Sequence, residues 1–190
     1  GLAAWNIEYR RVGAGGGYPE TLLDVAAAVD HLATLDAGLD LARVAVVGHS
    51  AGGQLAAWIA SRHRLPPGTP GSDPTIRAVL AVSQAGVLDL AHAARTGVGD
   101  GAVVDLLGGG PDEVPHRYAV ASPAELTPAG VPVVAVHGTG DTTVPLEQSE
   151  RYVAAAGQSA ELVVVDADHM DVIDPDHPAW AVVLAELSRI

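Results

Sequence analysis

No cysteine occurs among the 190 residues, which excludes disulfides, thiolate metal sites and a cysteine nucleophile together. Lysine is absent as well. All 10 basic residues are arginine, and against 23 acidic ones they leave a net charge of −13. A chain this acidic binds phosphate backbones poorly, so nucleic acid is disfavoured as a partner. Phenylalanine is missing too, and methionine occurs once. No apolar run reaches the roughly 18 residues of a spanning helix, and no basic-then-apolar leader opens the chain. Abundant alanine, glycine and arginine suggest GC-rich coding, and with no visible address the expectation is a bacterial, cytoplasmic protein. Gly1 leads straight into Leu2-Ala3-Ala4-Trp5 without an initiating methionine, so the sequence is expected to begin part-way through a longer protein.

What is present points to a layered fold. Apolar residues make up 48% of the chain, enough for the core of one domain of ordinary size, spanning 1–190. Strand-length apolar runs alternate with helical patterns, the signature of parallel strands joined by crossover helices. The runs are Leu2 to Tyr9, Val44 to Val47, Ile76 to Val82, Val133 to Val136 and Leu162 to Val165. Helical spacing follows from Leu22 to Leu32, from Gln54 to Ser61, from Leu146 to Ala156 and from Pro178 to Leu187. Between Leu88 and Thr127 the pattern weakens, with glycine and proline scattered through it, and residues 88–127 read as an insertion or lid rather than sheet. The expectation is an α/β domain with a mostly parallel sheet of about five strands and no internal linker.

The segment Val44-Ala45-Val46-Val47-Gly48-His49-Ser50-Ala51-Gly52-Gly53-Gln54-Leu55 carries the most chemistry. It sets Gly48-x-Ser50-x-Gly52 between a buried strand and a helix. A serine in so sharp a turn has a strained backbone, its neighbours must be small, and its hydroxyl stands clear of the sheet. The N–H of Ala51, at the start of the helix, faces the same spot and could serve a developing oxyanion. An incidental serine in a glycine turn leaves the positions of Gly48, Gly52 and Gly53 unexplained.

Serine is a weak nucleophile without a base, and the base needs an orienting acid. On this architecture the chain order is Ser, then Asp or Glu, then His. Asp141 follows the Val133 run, and His169 follows the Leu162 run. Adjacent parallel strands present such ends side by side, where open α/β sheets bind ligands. His177, before Pro178, is the rival base, and Asp89, beyond the Ile76 run, is the runner-up acid. Asp166 and Asp168 are too near His169 in sequence to orient it easily. His49 is expected to point away from the nucleophile and to pack or hydrogen-bond beneath the elbow, and His137 to make a structural hydrogen bond near the acid loop. The acidic run from Asp166 to His177 lacks the turn glycine and closing glutamate of a calcium loop and the paired histidines of a zinc protease, so no metal is expected. Gly13 to Gly17 matches no dinucleotide or triphosphate loop.

These segments resemble the α/β-hydrolase fold of bacterial esterases, the group that includes hormone-sensitive-lipase-like and kynurenine-formamidase-like enzymes. The resemblance rests on Asn6-Ile7-Glu8-Tyr9-Arg10-Arg11, Gly16-Gly17-Tyr18-Pro19-Glu20-Thr21, Gly48-His49-Ser50-Ala51-Gly52-Gly53, His137-Gly138 with Asp141 and Val144-Pro145, and Asp168-His169. It implies a three-layer fold with helices on both faces of the sheet. It also implies Ser50 as nucleophile, Asp141 as acid, His169 as base and Ala51 N–H as one oxyanion donor. Members of the group carry an upstream His-Gly-Gly loop with further oxyanion donors. Here that loop and the strands before it are missing, which implies an N-terminally truncated domain. Gly15 to Gly17 are the candidate substitute donors. Losing one donor costs ~10²–10³ in kcat, so activity of the chain alone is expected to suffer.

The expected function is a cofactor-free serine hydrolase that cleaves a carboxylic ester of a small acyl substrate through an acyl-enzyme. The alternatives are an arylformamidase or acyl-peptide hydrolase of the same fold, or a non-catalytic remnant. No substrate-binding residue is legible.

Overall fold

A computed structural model describes residues 1–190. Helix α1 (Glu20–Asp30) precedes strand β1 (Ala45–His49), which runs through a one-residue turn into α2 (Ala51–Ser61). Strand β2 (Leu80–Gln84) is followed by three short helices, α3 (Leu90–Thr96), α4 (Ala102–Leu107) and α5 (Pro115–Ala121). Then come β3 (Val133–Gly138), α6 (Glu147–Ala156), β4 (Ala160–Val165) and α7 (Pro178–Leu187). The strands form one parallel sheet in the order β1-β2-β3-β4.

Period-two alternation sorts the central strands between two helical layers. Ala81 of β2 and Val133 and Ala135 of β3 pack with Ala57 and Ala60 of α2 and Tyr152 and Ala156 of α6. Leu80, Val82, Val134 and Val136 point the other way, onto Val183 of α7. With both faces covered, β2 and β3 are buried along their whole length, which is why neither run has a polar face. The parallel sheet between helices is the α/β-hydrolase architecture expected from the motifs, at four strands rather than about five.

The fifth expected strand, Leu2 to Tyr9, is not one. It has no ladder partner and is tied to α1 instead: Trp5 Nε1 donates to Ala28 O at 3.1 Å, and Arg10 pairs with Asp24 at 2.8 Å. Ile7 and Tyr9 rest on the α1–α2 core. Apolar alternation says only that one side of a segment is covered, whereas a strand also needs a neighbour for its N–H and C=O groups. Between this segment and the free edge of β1 runs an apolar cleft of about 980 Å³, lined by Trp5, Ile7, Val46, Leu55 and Ile59 and reaching Gly48 and Gly52 at one end.

The stretch 88–127 carries α3, α4 and α5, and its Leu90, Val103, Leu107, Tyr118 and Leu126 join the same apolar cluster as Leu22, Val25 and Trp58. Tyr118 and Leu107 are buried, so these helices are packed against the body of the domain.

Candidate active site

Ser50 is the whole of the turn between β1 and α2. Its φ of 55° and ψ of −120° lie where a residue with a Cβ is strained. Two backbone bonds hold it there: Ser50 N–H donates to Gln84 O at 2.9 Å, and Ser50 O accepts from Gln54 N at 3.1 Å. The Ser50 hydroxyl does not cap α2. The glycine requirement is narrower than the motif implies. A Cβ on Gly48 would sit 2.0 Å from Gly52 O, whereas a Cβ on Gly52 would meet nothing within 4 Å. The turn closes on the backbone of Gly52, and Gly48 is the residue that must yield space. Ala51, first in α2, has no carbonyl a turn earlier for its N–H, which stays free beside Ser50.

At the end of β3, Asp141 is fixed from both sides. Its Oδ1 accepts from the N–H groups of Thr143 (2.9 Å) and Val144 (2.8 Å). Its Oδ2 lies 2.7 Å from Nδ1 of His169, the Asp141 side chain being fully buried and that of His169 13% exposed. A carboxylate there fixes the proton on Nδ1 and leaves Nε2 as the acceptor. The loops that carry Asp141 and His169 also meet through their backbones. Gly140 N–H donates to Ala167 O at 2.9 Å, and a Cβ on Gly138 would stand 2.2 Å from that same oxygen.

The structure brings Asp141 and His169 together and keeps the runner-up residues elsewhere. Asp89 caps α3 through His92 N–H (2.9 Å) and pairs with Arg151 (2.9 Å). His177 caps α7, its Nδ1 accepting from Ala179 N–H at 3.2 Å. Asp168 shapes the loop that carries His169. Its carboxylate accepts from Met170 N–H (2.7 Å) and Asp171 N–H (2.8 Å), and these backbone donors, that of Asp171 foremost, hold it below the usual carboxylate range. Of Gly15 to Gly17, the candidate substitute oxyanion donors, two have their N–H groups engaged. Gly16 N–H is taken by Arg11 O (3.0 Å) and Gly17 N–H by Thr21 Oγ1 (3.0 Å).

Two histidines complete the frame. His137, fully buried, lies 2.9 Å by Nε2 from Val144 O and 2.7 Å by Nδ1 from Ser149 Oγ. A carbonyl only accepts, so Nε2 carries the proton and Ser149 donates to Nδ1. Burial holds His137 below the ordinary histidine range, which keeps it neutral beneath Asp141. His49 is hydrogen-bonded, and its partner lies on the far loop rather than beneath the elbow. Its Nε2 lies 2.7 Å from His169 O, and the two rings are 4.5 Å apart. That contact spans the sheet from β1 to the loop after β4, and no local spacing encodes it.

A family model described as BD-FAE, an esterase family of the α/β-hydrolase type, matches residues 1–155. The chain belongs to the BD-FAE family. Solved structures agree with the fold of this BD-FAE chain. A bifunctional GH43-CE protein of Bacteroides eggerthii superposes with a TM-score of 0.77 at 19% identity, over 94% of this chain and 28% of its own. A truncated carbohydrate esterase from gut microbiota gives 0.72 at 20% identity, over 91% of this chain and 69% of its own. The butyrate-bound esterase of Thermogutta terrifontis gives 0.69 at 24% identity, over 96% of this chain and 68% of its own. The chain thus spans between about a quarter and two thirds of the length of these proteins. Among curated proteins there is no match. No helix is long and apolar enough to cross a membrane.

Proposed function

We propose that this BD-FAE chain carries the catalytic residues of a serine esterase. Ser50 attacks the carbonyl carbon of a small ester while His169 Nε2 takes the hydroxyl proton, and Asp141 holds the imidazole and stabilises the cation that forms. The carbonyl oxygen becomes an oxyanion next to the free N–H of Ala51. His169 then returns the proton to the leaving alcohol. Water, activated by the same base, releases the acyl group and restores Ser50. The observation that carries the reading is the 2.7 Å contact of His169 Nδ1 with a buried Asp141, after β3 and β4 of the parallel sheet whose β1 runs into a serine strained at φ 55°. The butyrate held by the Thermogutta esterase supports a short acyl group.

A fluorophosphonate probe tests this directly, because it reacts only with an activated serine. It should label Ser50, and Ser50→Ala should abolish labelling. The same variant should lower turnover of a short-chain nitrophenyl ester by up to ~10⁶. Unchanged turnover in Ser50→Ala would overturn the assignment.

A further inference from the structure

We infer that His49 is a positioning residue that holds the base loop to the nucleophile turn, an inference that rests on the esterase reading above. His49 is the last residue of β1 and the immediate neighbour of Ser50. Its side chain reaches across to His169, Nε2 lying 2.7 Å from the main-chain carbonyl. That carbonyl can only accept, so His49 carries its proton on Nε2 and donates it. The ring centroids lie 4.5 Å apart at 47°, so the His49 ring also packs against the His169 imidazole.

Several contacts hold the base and its loop, a bond from Gln84 Nε2 of β2 to Val172 O among them. Asp141 fixes its Nδ1, the bond from Gly140 N–H to Ala167 O fixes the start of its loop, and His49 fixes its own backbone. Only the His49 bond comes from the strand that also carries Ser50. Asp141 sets which way the imidazole faces, while His49 sets how far the base stands from the nucleophile. A misplacement of about 1 Å between reacting groups can cost ~10² in rate, so one hydrogen bond at this point has leverage on kcat. The charge state fits the role. Burial holds His49 below the ordinary histidine range, so it stays neutral while His169 becomes an imidazolium beside it. His169 and Asp141 are the titratable groups that face it.

The contact and the chemistry are tested separately. In the Ser50→Ala protein, where turnover plays no part, ¹⁵N shifts of the imidazoles report the tautomers. His49 should be protonated at Nε2 with Nδ1 bare, and the His169 Nδ1 proton should be protected from exchange. A His49 protonated at Nδ1 alone overturns the proposal without any substitution at that position. In the active protein, His49→Phe keeps a flat ring without the donor, and His49→Gln keeps a donor of similar reach. His49→Phe should lower kcat for a short-chain ester by about 10- to 100-fold at nearly unchanged KM. It should also speed exchange of the His169 Nδ1 proton, and His49→Gln should recover most of both losses. Wild-type kcat in His49→Phe, a loss confined to KM, or equal damage from Phe and Gln would each overturn the proposal. If Ser50→Ala proves as active as the parent, the esterase reading fails instead, and the tautomer measurement still decides the contact.

Discussion

Asp141 meets His169 with one carboxylate oxygen, Oδ2 at 2.7 Å from Nδ1, while its other oxygen is held by the N–H groups of Thr143 and Val144. The division of labour predicts what an amide would do. In Asp141→Asn the carbonyl oxygen must stay on the two backbone donors, which turns the NH₂ group toward His169. Two donors then face each other, and the imidazole moves its proton to Nε2, where it can no longer accept from Ser50. We expect kcat to fall by roughly 10⁴ with the fold retained. Asp89→Ala should leave kcat within a few-fold and cost about 1 kcal/mol through the lost α3 cap. Steady-state kinetics and urea unfolding of both variants check this, and the reverse pattern would move the acid to β2.

The glycines of the turn should separate sharply. Gly48→Ala drives a methyl to 2.0 Å from the Gly52 carbonyl oxygen, a clash with backbone that no rotamer relieves. We expect a loss of more than about 3 kcal/mol or failure to fold. Gly52→Ala enters open space within α2, where alanine is favoured over glycine by up to ~1 kcal/mol, so it should be neutral or stabilising. Thermal melting of the pair decides the matter. Equal damage from both would mean that the turn is closed by something other than the approach of Gly48 to Gly52.

Stability should fall on mild acidification. Burial holds His137 and His49 below the ordinary 6.5. Between that value and their lower folded values, the unfolded chain binds protons that the folded chain refuses. Stability is therefore full above about pH 6.5 and is lost as pH falls below it. Urea midpoints measured from pH 7.5 down to 5.5 should decline, and His137→Gln should flatten part of that slope even if it lowers stability throughout. A midpoint that is flat or rises over this range would contradict the neutral, buried state of both rings.

Much of the site was legible because its signals are local. Gly48-x-Ser50 between an apolar run and an alanine-rich helix specifies a strand, a turn and a helix by short-range sterics alone. The Val133 and Leu162 runs announce strands whose ends carry Asp141 and His169. All of this follows from period-two burial, backbone sterics and the order of residues along the chain, which the sequence contains in full. Other features depended on what lies across the sheet. Leu2 to Tyr9 alternates like a strand yet has no ladder partner and is tied to α1, because a strand is defined by its neighbour. Gly16 and Gly17 look like free donors until the fold folds their N–H groups into bonds with Arg11 and Thr21. That His169 meets Asp141 rather than Asp89, and that His49 reaches the carbonyl of a residue 120 positions away, depends on strand order and loop path. Residue spacing along a chain does not encode distance between strand ends; only the assembled sheet sets it.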